Sequence, residues 1–150
     1  MSTKKTALYT RSAGKNGEAI ASQVRRCRNY LRQKGWDHDA VDAVRVFTDD
    51  GVSGSNLHRP AFQEMTDQVR AGTVGLIVFA ELSRISRSLE DFHTLQDEWN
   101  LHGVHWASVT EKFETTTDSG ELIIRIMMSL NEFERKQTAR RTRAISQRGA

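Results

Sequence analysis

Gly75-Leu76-Ile77-Val78-Phe79-Ala80 is the stretch on which the fold turns. It holds the longest uninterrupted apolar run in the chain. A continuous run, rather than an alternating one, is what a central parallel strand covered on both faces requires. Working outward, Thr6 to Arg11 and Ala43 to Thr48 read as two earlier strands, and His105 to Val109 as a fourth. Helical patterns lie between them. Glu18 to Lys34 carries Ile20, Val24, Cys27 and Leu31 at helical spacing and is closed by Gly35. Cys27 on that stripe reads as a small buried hydrophobe rather than a reactive thiol. Pro60, the only proline, is placed to open a helix through about Ala71. Leu89 to His102 sets Phe92, Leu95 and Trp99 on one side. Strand–helix alternation predicts an α/β domain: a mainly parallel sheet of four to five strands, helices on both faces, right-handed crossovers. No internal repeat or low-complexity linker interrupts it.

The chain has 150 residues, enough for one domain with its own core. Hydrophobic residues make up 37% and charged residues 27%, a globular balance that excludes a disordered chain. One cysteine excludes an internal disulfide and a thiolate metal cluster. No apolar run approaches the ~20 residues of a membrane helix. The start, Met1-Ser-Thr-Lys-Lys5, does not read as a signal peptide. The expected compartment is the reducing cytoplasm, with no membrane partner.

The last third differs. Asp118 and Glu121 form a capping-box-like start, and the sequence predicts a helix from 119 to 148, some 45 Å at ~1.5 Å per residue. Residues 1–118 read as the core and 119–148 as this separate long helix. The segment Leu122 to Leu130 is apolar almost all round, so one face can cover the sheet and another needs a different cover. Self-association suits a helix longer than the globule; burial within a monomer is the competing reading. Residues 135–150 hold six Arg or Lys and no acid, leaving residues 1–134 with 16 basic against 19 acidic groups. A basic tail on an acidic body points to a polyanion. Nucleic acid fits better than a membrane, because the tail lacks bulky apolar anchors. Cations matching the negative end of a helix dipole are the plainer explanation.

Ligands of open parallel sheets bind at the carboxyl ends of the strands. Here those ends carry Arg11-Ser12-Ala13, then Asp49-Asp50-Gly51-Val52-Ser53-Gly54-Ser55, then Glu81-Leu82-Ser83-Arg84-Ile85-Ser86-Arg87-Ser88. Arg11, Arg84 and Arg87 are thus expected on one rim, where guanidinium forks and glycine-rich amides suit a phosphate. Solvated loop arginines are the alternative. No G-x-x-x-x-G-K-S/T loop or G-x-G-x-x-G fingerprint is present, and His102 and His105 straddle a helix end, a poor metal pair. Asp49, Asp50 and Glu81 could instead hold Mg²⁺ in a nuclease or topoisomerase-like enzyme. A non-catalytic dimerisation and DNA-bridging module is a third reading.

Four segments together resemble the catalytic domain of the serine recombinases, the resolvases, invertases and phage-type integrases. Tyr9-Thr-Arg11 with Gln23 downstream is similar to the family's Y-x-R-x-S motif and its glutamine. Phe47 through Asp49, Ser53, Gly54 and Arg59-Pro60 is similar to its second block. Leu82-Ser83-Arg84-Ile-Ser86-Arg87 resembles its D-R-L-x-R block. Thr117 to Glu121, leading to Glu134-Arg135, resembles the start of its dimerisation helix and terminal E-R pair. The resemblance implies DNA strand exchange through a 5′-phosphoserine, without metal or nucleotide cofactor, in dimers that synapse into tetramers. It implies that Arg11, Arg59, Arg84, Arg87 and Arg135 contact the phosphate or orient the nucleophile. Gln23, Asp49 and Glu134 would position these groups or assist proton movement. The basic end, with Arg140, Arg141 and Arg143, would lie across DNA. Two positions depart from the pattern. Ala13 stands where the nucleophilic serine belongs, and Ser12, one residue earlier, should face the other way. Ser83 stands where many members have Asp. The resemblance therefore implies a chain that folds and pairs but does not cleave. It also implies a bacterial or phage-encoded catalytic domain lacking the family's separate DNA-binding domain.

Overall fold

A computed structural model of the chain describes residues 4–53, 59–86, 88–118, 120–122, 124–126 and 129. Four parallel strands, β1 (Lys5–Ser12), β2 (Arg45–Asp50), β3 (Val74–Phe79) and β4 (His105–Ser108), form the sheet, and β5 (Phe113–Glu114) pairs antiparallel with β4. The order β2-β1-β3-β4-β5 puts β3 in the middle, as its apolar run requires.

Two cores result, one on each face. Tyr9, Ile77, Phe79 and Trp106 pack with Phe62 and Met65 of α3 (Pro60–Arg70) and Phe92 and Trp99 of α5 (Leu89–Leu101). Leu8, Val78 and Ala107 pack with Cys27 and Leu31 of α1 (Gly17–Gln33) and Val41 of α2 (His38–Asp42). The alternation Leu8/Tyr9 and Ile77/Val78 is the period-two rule applied to strands buried on both sides. Phe79 stacks on Trp106 at 5.7 Å between ring centres, and Phe92 meets Trp106 edge-on at 4.9 Å, so aromatic packing anchors the α3/α5 face.

Local chemistry sets the helix ends. The Asn16 side chain accepts from Ala19 N at 3.1 Å to start α1, and Gly35, at φ 89°, follows its end. Pro60 opens α3. Ser88 accepts from Asp91 N at 3.3 Å to start α5.

The structure corrects or completes four details of the sequence reading. β2 begins at Arg45, two residues later than expected, because the backbone N–H groups of Ala43 and Val44 bond back to the Asp39 and Val41 carbonyls at the end of α2. A one-turn helix, α4 (Leu82–Ile85), stands in what read as loop. The fifth strand of the four to five expected is the two-residue β5, whose position the sequence does not mark. The cap at the start of the last helical segment is Thr117, not Asp118: its Oγ1 accepts from Gly120 N at 3.1 Å, and its carbonyl from Glu121 N at 3.0 Å. Gly120 is required there, since a Cβ would sit 2.0 Å from the Glu114 carbonyl oxygen. Residues 118, 120–122, 124–126 and 129 are helical, with Ile124 seated in the α3/α5 core. The rest of the expected 119–148 helix lies outside the described residues.

Candidate active site

β1, β2 and β3 end side by side at one rim, with Arg11 opposite Asp49 and Ser12 opposite Asp50. Arg11 and Tyr9 share a face of β1, two residues apart. Arg11 is 3% exposed and spends its guanidinium on backbone oxygens. Nε donates to the Arg84 carbonyl at 3.0 Å, and the two terminal nitrogens to the carbonyls of Val52 at 2.9 Å and Ser83 at 2.8 Å. One planar fork thus joins the β2 loop to α4, which a single ammonium could not do. Its backbone is held too. The Gln23 amide donates to the Arg11 carbonyl at 2.9 Å and accepts from Arg11 N at 3.1 Å, pinning α1 to the end of β1.

A second buried network lies alongside. The Tyr9 hydroxyl donates to Asp49 at 2.8 Å. The Asp49 carboxylate also accepts from Ala61 N at 2.9 Å and Phe62 N at 3.0 Å, so it caps α3 from β2. Arg59 donates to the Tyr9 oxygen at 3.5 Å and to the Arg84 carbonyl at 3.2 Å, with its guanidinium 4.3 Å from the Phe62 ring centre. Burial raises the Tyr9 hydroxyl above its ordinary pKa, helped by the Asp49 carboxylate and opposed by the Arg59 charge. Tyr9 therefore stays a neutral donor.

Arg11 and Arg59 meet on the carbonyl of Arg84, whose own guanidinium reaches Glu81 at 3.2 Å. The Nε atoms of Arg59 and Arg84 are buried without a hydrogen-bond partner among the described residues. Ser12 is 7% exposed and donates its hydroxyl to the Gly14 carbonyl at 2.5 Å, while Ala13 is exposed. Ser12 and Arg11 alternate on β1 as a strand demands.

The structure thus brings Arg11, Gln23, Asp49, Arg59 and Arg84 together beside Ser12 and Ala13. Arg87, Glu134, Arg135, Arg140, Arg141 and Arg143 lie outside the described residues. Asp50 and Glu81 have other partners than Asp49: Asp50 accepts from Asn16 N at 2.9 Å, and Glu81 lies 3.7 Å from Arg26 as well as near Arg84. No group of three His, Cys, Asp or Glu able to hold a metal occurs among the described residues. Cys27 is fully buried, and burial pushes its thiol up to about 12. A cavity of about 860 Å³ opens between Lys5, Trp36, Phe47 and Gln68 at the opposite ends of the strands, away from the rim arginines.

Two partners of the site escaped the sequence. Tyr9 was visible only as a motif letter, although its parity with Arg11 places it on the same face. Glu111 accepts from Leu82 N at 2.8 Å and from the Ser108 hydroxyl at 2.5 Å, capping α4 from the β4–β5 turn. Nothing in the string signals a contact across 29 residues.

A mainly parallel α/β domain with an arginine network at its strand carboxyl ends defines the class, and comparison with known proteins supplies the family. The model of the resolvase N-terminal domain matches residues 6–150. The Tn552 transposon resolvase of Staphylococcus aureus is 32% identical over 108 residues, covering 71% of this chain and 53% of that protein. The DNA-invertase hin of Salmonella typhimurium is 30% identical over 105 residues, covering 70% and 54%. The N-terminal catalytic domain of TP901-1 integrase superposes with a TM-score of 0.76 at 30% identity, covering 90% of this chain and 99% of that one. The chain belongs to the resolvase family and has the fold of the serine recombinase catalytic domain. It spans about half the length of the curated relatives it matches. No helix among the described residues is long and apolar enough to cross a membrane.

Proposed function

We propose that the chain is the catalytic domain of a site-specific DNA recombinase, and that with Ala13 at the nucleophile position it does not cleave. The observation that carries this is the clasp of Arg11 and Arg59 on the Arg84 carbonyl, immediately beside the exposed turn that begins at Ala13. A serine hydroxyl at position 13 would attack the scissile phosphorus. The bond to the 3′ oxygen would break, that oxygen leaving as a hydroxyl with a proton, and the 5′ phosphate would remain on the serine. Reversal by a new 3′ hydroxyl rejoins the strands. Alanine offers only a methyl group, and Ser12 is turned into its own hydrogen bond.

Charge on the five-coordinate phosphorus needs fixed donors. Arg84 and Arg87 supply them in this reading, with Arg135 from the following helix and Glu134 assisting proton movement. Arg11, Arg59, Gln23 and Asp49 hold the rim in shape. Residues 1–118 act as the core, and helix 119–148 pairs subunits into dimers that join as tetramers. Arg140, Arg141 and Arg143 lie on the DNA backbone, where phosphate contacts bring affinity without sequence preference. The setting is the cytoplasm of a bacterium carrying the element or its phage.

The test compares the chain with its Ala13→Ser variant on duplex DNA carrying a candidate recombination site, in parallel with Mg²⁺ and with EDTA. A covalent protein–DNA adduct on a denaturing gel is expected from Ala13→Ser alone. An adduct from the Ala13 form would overturn the inactive-nucleophile reading. Cleavage that needs Mg²⁺ and disappears with EDTA would favour the Asp49, Asp50 and Glu81 nuclease. DNA bridging by Ala13→Ser with no adduct would favour the non-catalytic module.

A further inference from the structure

Glu81 occupies the N-cap position of α4, yet its side chain makes no cap. The cap comes from Glu111, whose carboxylate takes Leu82 N at 2.8 Å. Glu81 is thereby released from the usual task of an acid at a helix start. Its carboxylate bridges two arginines from different elements: Arg84 of α4 at 3.2 Å and Arg26 of α1 at 3.7 Å. Arg26 is itself bonded to the Thr110 hydroxyl in the turn that follows β4. The backbone of Arg84 is fixed by Arg11 and Arg59 on its carbonyl, but its guanidinium has only Glu81 as a charged partner among the described residues. Arg84 Nε is buried with no hydrogen-bond partner among the described residues, so the bond from its terminal nitrogen to Glu81 sets the direction of the fork. Ser83, next along α4, brings no charge.

We infer that Glu81 is a positioning residue, which aims the Arg84 guanidinium along the rim by tying it to Arg26 and α1. The inference rests on the proposed role of Arg84 at the phosphate. A long cation fixed only at its backbone samples many rotamers, and each misdirected one withholds charge from the transition state. The Glu81 and Arg84 side chains are 30% and 28% exposed, so the pair is worth a modest factor rather than a large one.

Two measurements test this. Arginine Nε–Hε spectra of the chain as it stands report Arg84 directly. Glu81→Ala is expected to speed its Hε exchange about fivefold, and Glu81→Gln by less, while leaving Arg11 and Arg59 unchanged. In the Ala13→Ser background, Glu81→Ala is expected to lower the adduct-forming rate at saturating DNA about fivefold, with half-saturating DNA within about twofold. Glu81→Gln, which keeps an oxygen acceptor in place, should recover part of that rate. An unmoved Arg84 signal, an unchanged rate, or equal losses in both variants that track a lowered melting temperature would overturn the inference. If Ala13→Ser itself forms no adduct, the proposed function fails, and the Arg84 spectrum still decides whether Glu81 holds the side chain.

Discussion

At the scale of single residues, Arg11 is the centre of the rim. Its three bonds reach carbonyls in two separate segments, the loop after β2 and the short helix α4. A lysine could satisfy only part of that set and would leave buried oxygens unpaired. Arg11→Lys is therefore expected to destabilise the fold by about 2–3 kcal/mol, measured by urea unfolding. The residue types here were legible: arginines, an acid and small polar residues at strand ends announce an anion site. What each does was not. Arg11 reads from the string as contacting the phosphate or orienting the nucleophile, and nothing there shows that the fold encloses it and bonds its guanidinium to the carbonyls of Val52, Ser83 and Arg84. Asp49 likewise reads as a catalytic or metal-binding acid, and it caps α3 from a neighbouring strand. Both outcomes depend on backbone groups brought close by the sheet, which leave no mark in local sequence.

Among the elements, long periodic ones were readable and one-turn ones were not. α1, α3 and the central strand repeat their apolar residues often enough to show a face. α2 and α4 span five and four residues and bury one side chain each, Val41 and Ile85, so no period can emerge. The β5 edge is held to α1 by polar contacts instead. The Glu114 carboxylate accepts from the Tyr30 hydroxyl and, at 3.0 Å, from Lys34, the residue that caps the end of α1. The Tyr30 bond foremost, and the Lys34 charge with it, hold the Glu114 carboxyl below its usual range. A depressed carboxylate pKa favours the folded state fully above the unfolded value, and that contribution fades as pH falls through the folded value. Melting temperature should thus drop on acidification below about pH 4, and Glu114→Gln should flatten part of that acid limb. An unchanged acid limb in the variant would show that the clasp contributes nothing.

For the whole molecule, the question is what covers the helix that leaves the sheet domain. Ile124 is 2% exposed in the core, whereas Leu122 is 58% and Ile126 52% exposed on the same helical segment. One face of this described segment is thus docked and another bare. Ile126→Glu is expected to weaken self-association about tenfold or more in sedimentation equilibrium, while melting temperature of the dilute chain stays within about 2 °C. A matched fall in both would mean that Ile126 serves the monomer core instead.

The order of strands and helices, the central place of β3, the burial of Cys27 and the meeting of Arg11 and Arg84 at one rim all follow from the sequence alone. Each depends on periodicity or chain order, which a string carries in full. Tertiary structure decided the brace of Arg11, the cap of α3 by Asp49, the cap of α4 by Glu111 and the pairing of Glu81 with Arg26 and Arg84. These are directional bonds between atoms far apart in the chain, and their existence depends on distances that only the packed sheet and helices set.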